Sequence, residues 1–414
     1  MFGFDLLRQL SVRALVLVHP SSAPRWLISE KASPNYLSGS PTPADDTRLL
    51  SVGANGGDIT IFKYDPSRGL LLRSSVYSEP GFMPSWQSIH PTEKDIIYST
   101  DEGNPGGLVS FRLNRASGTL KKLARSNGIN GTVSIAIQND FLVVAAYSGH
   151  SVQAFETNDR GDISTARDTF TYSLARPGPD VVRQEASHPH QALIDPSGKF
   201  VVVADLGADL LRLYAIDGDR IRELPAVPVQ PGSGPRHGHF LVTNTTAGAK
   251  TFFYLVNELR NTVVTYTVNY TCASIELSKI QELDTLPKYE TQIAPVIAPN
   301  AGEIVISNDK RFVYVSNRND FTFGNQAYGP SDSIALYRVD SETGLLKFIK
   351  LLEAGGLMPR HFSLDETGRF VAIALQNSDV VVVSPRDPET GEFTIKEDDD
   401  RGYVPRGPVC IQWL

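Results

Sequence analysis

The sequence predicts an all-β protein: a seven-bladed β-propeller with four antiparallel strands per blade, closed by its own C-terminal strand. Three observations carry this. Turn signals recur between short apolar runs, one strand pattern repeats seven times, and a final apolar run is left over after the last complete repeat.

The turns form two series. Asp65-Pro-Ser-Arg-Gly69, Arg115-Ala-Ser-Gly118, Asp159-Arg-Gly161, Asp217-Gly218, Asp340-Ser-Glu-Thr-Gly344 and Asp387-Pro-Glu-Thr-Gly391 each separate two apolar runs, as hairpin turns do. Pro91-Thr-Glu-Lys-Asp95, Asp195-Pro-Ser-Gly-Lys199, Asn308-Asp-Lys-Arg311 and Asp365-Glu-Thr-Gly-Arg369 do the same at other points of the repeat. The runs between them, such as Val201-Val-Val-Ala204, Phe312-Val-Tyr-Val315 and Val380-Val-Val-Val383, are short and β-branched or aromatic. Amphipathic helical patterns are scarce, and the chain resolves into about 28 strands, four per repeat.

With strands lettered A to D from the channel outward, B strands begin near Leu49, Ile96, Phe141, Phe200, Phe252, Phe312 and Phe370. A strands begin near Trp86, Thr132, His190, His237, Glu303 and His361, one fewer. The final run Val409-Cys-Ile-Gln-Trp413 fits as the missing A strand of the blade that opens at Leu49. That pairing would leave no open sheet edge. The propeller is expected over 47–414, with 1–46 an N-terminal extension.

The bulk properties exclude several function classes. The 414 residues are 41% hydrophobic and 21% charged, enough for a large core. A net charge of −7 without a Lys/Arg stripe argues against a nucleic-acid partner. Cys272 and Cys410 form neither a disulfide framework nor a zinc motif. No segment reaches the roughly 20 apolar residues of a membrane span. Arg8, Arg13 and the run Ala14-Leu-Val-Leu-Val18 loosely resemble a signal peptide, but the apolar core is very short. A cytoplasmic location is the expectation.

In a blade, A starts and B ends meet at one mouth of the channel, together with the B-to-C and D-to-A connections. The connections Ser164 to Pro189, Leu224 to Pro235, Asp284 to Gly302 and Arg318 to Asp332 read as long, and long loops grouped on one face of a rigid scaffold usually carry binding. The polar residues sort to the same mouth: His188, His190, Arg236, His237, Arg360 and His361 at A starts, and Asp205, Asn257, Glu258, Asn317, Arg318 and Gln376 at B ends. Singly, each is an ordinary strand-end residue. The equivalents in the remaining blades are small or neutral, so the charged set is asymmetric and marks a site. Arg236, Arg318 and Arg360 supply planar bidentate donors for carboxylate or phosphate. Glu258 and His190 are acid/base groups. With no P-loop, no nucleophile elbow and no tight metal-ligand spacing beyond His188-Pro-His190, which no acidic residue adjoins, a small anionic substrate and proton transfer without a cofactor or metal are expected.

At these residues the sequence resembles the lactonase-type seven-bladed propeller family, which includes propeller 6-phosphogluconolactonases and fungal carboxy-cis,cis-muconate cyclases. The matching stretches are His188-Pro-His-Gln-Ala-Leu-Ile-Asp-Pro-Ser-Gly-Lys199, Gly234-Pro-Arg-His237, Tyr254-Leu-Val-Asn-Glu-Leu259, Phe312-Val-Tyr-Val-Ser-Asn-Arg318 and Met358-Pro-Arg-His-Phe362. The resemblance implies His190, Arg236, Glu258 and Arg318 as the catalytic set. The other polar residues of the mouth, His188, Asp205, His237, Asn257, Asn317, Arg360, His361 and Gln376, are expected as substrate contacts from their place at strand ends. The long loop after Arg318, with Tyr328, departs from the family pattern. Three functions stay open: hydrolysis of an anionic sugar-acid lactone, muconate cyclisation, and a non-catalytic binding propeller.

Overall fold

The computed structural model describes residues 47–79, 81–287, 298–326, 329–396 and 400–414. The segment 1–46, with its apolar run, and Tyr328 lie outside the described residues. Seven four-stranded antiparallel sheets account for the propeller. In blade 1 the order from the channel is Pro408–Trp413, Arg48–Ala54, Asp58–Asp65 and Leu70–Ser78. The C-terminal strand therefore supplies strand A, with Leu50 opposite Trp413 and Val52 opposite Ile411. The inner A and B strands of the other blades are Gln87–Ile89 and Ile96–Asp101 (blade 2), Thr132–Gln138 and Phe141–Ala146 (3), and Pro189–Ile194 and Phe200–Asp205 (4). Those of the last three are Pro235–Thr245 and Gly248–Asn257 (5), Asn300–Ile306 and Phe312–Arg318 (6), and Pro359–Leu364 and Phe370–Leu375 (7).

Period-two alternation turns each sheet into a two-faced wedge. In blade 1, Leu50, Val52 and Ala54 pack against Ala372, Ala374 and Val381 of blade 7. Leu49, Ile59 and Ile61 of the same blade pack against Ile97, Val109 and Phe111 of blade 2. Seven such apolar clusters each join two consecutive blades, the seventh closing blade 7 onto blade 1.

The turn motifs have a second task in this packing. Gly344 and Gly391, in C-to-D turns, have φ of 71° and 79°. Their carbonyls accept the hydroxyls of Tyr254 and Tyr314 from the preceding blades, at 2.8 and 2.6 Å. A Cβ on either glycine would lie 2.3 Å from Phe252 or 2.6 Å from Phe312, so the neighbouring blade leaves no room for a side chain.

Three expectations about connections change. Strand B of blade 5 begins at Gly248 rather than Phe252, because the A-to-B hairpin extends out to a two-residue turn at Thr246-Ala247. Leu224 lies inside strand Arg220–Pro228, which shortens that connection. The stretch from Ser164 contains strand Asp168–Thr171. These outer strands are half exposed and carry little apolar pattern. The loop after Arg318 contains a hairpin, Phe323–Gln326 with Gly329–Ser331. Among the described residues no helix is long and apolar enough to cross a membrane.

Closure predicts a measurable dependence on one side chain. Trp413 is buried, meets Tyr64 edge-on at 6.0 Å, and donates Nε1–H to the Ser363 carbonyl at 3.2 Å. Trp413→Ala is expected to cost about 3–5 kcal/mol, the usual range for emptying a large aromatic site, read as a lower urea midpoint. An unchanged midpoint would mean that the ring does not depend on this strand.

Candidate active site

Six of the blades carry a β-bulge at the start of strand A. In blade 4, Pro189 pairs with Asp205 and Gln191 with Ala204, so His190 has no ladder partner. The same slip omits Arg236 in blade 5 and Arg360 in blade 7. In blade 6 it falls between Ala301 and Ile304, across Gly302 and Glu303. Blades 1 and 3 place only Val409 and Val133 at this point. A bulge bends the strand and re-aims a side chain. Consecutive residues such as Arg236 and His237 can then both enter one cluster, which strict alternation would forbid.

The first layer of the cluster is built on Glu258, the residue after strand B of blade 5. Its Oε2 lies 3.0 Å from Arg236 Nε and 2.9 Å from Arg318, and its Oε1 lies 2.5 Å from Arg183. Backbone carbonyls fix two of these arginines: Arg236 donates to Gly302 O at 2.9 Å and Arg318 to Ala301 O at 2.7 Å. Burial alone would raise the pKa of Glu258, but Arg318, Arg183 and Arg236 together hold it well below the usual carboxylate range. Burial, with Arg318 beside it, pulls Arg236 down to about 9, which leaves it charged at neutral pH. Arg360 is partly exposed, with Glu102 as a distant partner at 3.9 Å. Four guanidinium groups thus touch two carboxylates, and the mouth favours an anion.

The second layer is imidazole. His237 Nδ1 lies 2.9 Å from Glu303 Oε2, and His237 Nε2 lies 3.2 Å from His190 Nδ1. His361 Nε2 lies 3.5 Å from the same Glu303 oxygen. Trp86 meets His237 and His361 edge-on at 5.4 and 5.3 Å. Burial drives the pKa values of His190 and His237 well below the histidine range, with Arg236 the next cause for each. All these rings are therefore neutral at pH 7. Beyond this layer the channel opens into a cavity of about 410 Å³ lined by Trp86, Gln191, His239, Glu303, His361 and Gln412 among others.

A model of the family described as lactonase, 7-bladed β-propeller, matches residues 38–413. The chain belongs to this family. Among curated relatives of this lactonase-family chain, it is 34% identical over 369 residues to a probable 6-phosphogluconolactonase of Arthroderma benhamiae, covering 88% of each. It is 29% identical over 324 residues to the 6-phosphogluconolactonase of Bacillus subtilis, covering 77% of this chain and 84% of that one. The solved periplasmic gluconolactonase of Pseudomonas aeruginosa aligns with a TM-score of 0.74 at 25% identity, over 89% of this chain and 99% of that one. The expected fold and family are borne out.

Of the residues singled out in the sequence, His190, Arg236, His237, Glu258, Arg318, Arg360 and His361 come together in the lactonase mouth. His188 stacks on Tyr147 with centroids 4.0 Å apart and forms wall beside His190. Asp205, expected to contact substrate, is saturated: it accepts from Ser187, His188 N, Ala208 N and Arg212 Nε at 2.5, 2.8, 3.0 and 2.7 Å. Asn257 donates to Thr262 Oγ1 at 3.1 Å, and Asn317 to Thr285 O and Ser333 Oγ at 3.1 Å each. These three residues shape B-to-C and D-to-A connections. Gln376 Oε1 is buried without a partner among the described residues.

Sequence reasoning passed over Glu303, Arg183, Tyr147 and Trp86. Glu303 occupies the strand-A position of His237 and His361, and Tyr147 follows strand B of blade 3 as Glu258 follows that of blade 5, so position in the repeat was a usable signal. Arg183 comes from a D-to-A loop and carries no such signal.

Removing the anchor has a defined consequence. Glu258→Gln leaves Arg236 and Arg318 buried together without a counter-charge and is expected to destabilise by about 3–5 kcal/mol at pH 7. The folded-state pKa of Glu258 is depressed, so its contribution is complete above the unfolded value of about 4.3 and is lost as pH falls toward the folded value. The gap between parent and variant in urea midpoint should be constant above about pH 5 and narrow below about pH 4. A gap that widens on acidification would contradict the ion-pair assignment.

Proposed function

We propose that this lactonase-family enzyme hydrolyses the ring ester of an anionic sugar-acid lactone, in the manner of a 6-phosphogluconolactonase. The observation that carries the reading is a neutral imidazole, His190, held beside arginines in excess over their carboxylates. His190 takes a proton from water as the water oxygen bonds to the lactone carbonyl carbon. The resulting oxyanion is met by Arg236 and Arg318, whose positions are already fixed by backbone carbonyls. The ring C–O bond then breaks, and the proton on His190 passes to the departing alkoxide to give the open hydroxy acid. Glu258, ionised and tied to three arginines, anchors this arrangement and does not exchange protons.

Arg360 is the guanidinium with the weakest internal engagement, and it is assigned to the substrate's remote anionic group, a phosphate in this reading. Cys272 and Cys410 are free thiols, which fits a reducing compartment and a cytoplasmic location.

The test is ring opening of 6-phosphogluconolactone and of unphosphorylated gluconolactone, followed by pH-stat against the spontaneous rate. Carboxy-cis,cis-muconate is assayed in parallel. Arg236→Ala and His190→Gln are expected to abolish hydrolysis. Arg360→Ala is expected to raise KM for the phosphorylated lactone about 10- to 100-fold, the weight of one charge-assisted contact, with little change for gluconolactone. Full activity in His190→Gln would sink the mechanism. Consumption of muconate without lactone opening would replace hydrolysis with cyclisation.

A further inference from the structure

Glu303 belongs to neither the arginine layer nor the substrate-facing set, yet its carboxylate is buried and fully oriented. Oε1 accepts the Ile304 backbone N–H at 3.0 Å, and Oε2 faces His237 Nδ1 at 2.9 Å and His361 Nε2 at 3.5 Å. The proton positions follow from these contacts in sequence. An ionised carboxylate only accepts, so His237 must carry its proton on Nδ1. His237 is neutral, so its Nε2 is a bare lone pair. Arg236 Nη1 lies 3.1 and 3.2 Å from the two nitrogens of His237, over the ring face rather than along either lone pair, so the Nε2 lone pair takes its hydrogen from His190 Nδ1, 3.2 Å away. His190 is also neutral, so its Nε2 is unprotonated. The hydrogen bond to His237 engages His190 through Nδ1, which leaves Nε2 as its second nitrogen. His361 obeys the same logic from the other side: its Nδ1 accepts the Ile411 N–H at 3.3 Å, so its Nε2–H points at Glu303.

The surroundings keep this order. Trp86 packs edge-on against His237 and His361, and Tyr147 against His190 at 5.6 Å, so each ring is held in place by a neighbour. The charged groups acting on His190 are Arg236, Arg360 and Arg318, all positive, with His237 adjoining. They oppose protonation of the resting ring. Glu303 is the carboxylate that reaches His190 through hydrogen bonds, by way of His237.

We propose that Glu303, acting through His237, fixes His190 as the Nδ1–H tautomer and thereby makes Nε2 the proton-accepting atom of the site. Glu303 and His237 are positioning residues. His237, expected from the sequence to contact substrate, is instead the middle of a carboxylate–imidazole–imidazole chain. When Nε2 takes the proton of water, both nitrogens of His190 bear hydrogen. The new positive charge is then stabilised along the chain by Glu303, and no second proton moves. The proton later leaves from the same Nε2 to the alkoxide oxygen. This consequence rests on the hydrolase reading, whereas the tautomers are a property of the protein without substrate.

The experiment is a long-range 1H–15N correlation spectrum of the full chain labelled with 15N-histidine, recorded near pH 7, with His190→Gln and His237→Gln used for assignment. His190 and His237 are both expected as Nδ1–H tautomers. In Glu303→Gln the carboxamide offers a donor as well as an acceptor, so a population of His190 with hydrogen on Nε2 should appear. For that variant kcat should fall about 10- to 100-fold, the usual effect of removing an orienting partner, with KM nearly unchanged. Finding His190 as the Nε2–H tautomer in the parent would overturn the proposal. So would a Glu303→Gln protein with parental tautomers and parental kcat. A parent with the expected tautomers but no lactone hydrolysis would remove the hydrolase reading and leave the tautomer assignment standing.

Discussion

Every feature of the site depends on the pairing of Pro408–Trp413 with Arg48–Ala54. A fan of seven wedge-shaped sheets has two free edges unless its ends meet, and a free edge is an unsatisfied row of backbone donors and acceptors. Closure completes the seventh apolar interface and forces all the inner strands to share one channel. Because the strands alternate direction, every A start and every B end then falls at the same mouth. Residues as distant in sequence as His190, Glu258 and Arg360 are brought together by that requirement alone.

The mouth gathers charge at a cost that the fold must offset. Three arginines around one buried carboxylate are stable because each guanidinium also has a fixed partner: backbone carbonyls for Arg236 and Arg318, and Tyr147 for Arg183. Burial, reinforced by the excess positive charge, keeps His190 and His237 neutral, the state in which the proposed base His190 takes up a proton at pH 7. The same arrangement disqualifies Glu258 as a proton carrier, since its pKa is driven far from neutrality. In the proposed reaction the acid/base and anchoring tasks are divided between two groups that the sequence alone treats as equivalent.

Much of this was legible in the residues. The glycine-ended turns and β-branched runs gave the strand count, and the surplus run at Val409 gave the closure. The polar residues at strand ends gave the mouth. What was not legible depends on contacts across blades. Asp205 has the look of a binding residue, but the hydroxyl of Ser187 and the guanidinium of Arg212 consume it, and neither is visible as a partner in the sequence. Glu303 looked like a strand start, because its task appears only when His237 of blade 5 and His361 of blade 7 converge on it. The bulges were equally hidden: one extra residue in the A strands of six blades leaves no mark in a two-residue periodicity that short.

The measurement that tests the assignment most directly is a crystal structure with 6-phosphogluconate, the ring-opened product, bound. Its carboxylate should lie against Arg236 and Arg318, with an oxygen about 3 Å from His190 Nε2, and its phosphate at Arg360. Product seated in the cavity on the far side of His237 and Glu303, or on the outer strands with His190 remote, would contradict the placement of the active site at this mouth.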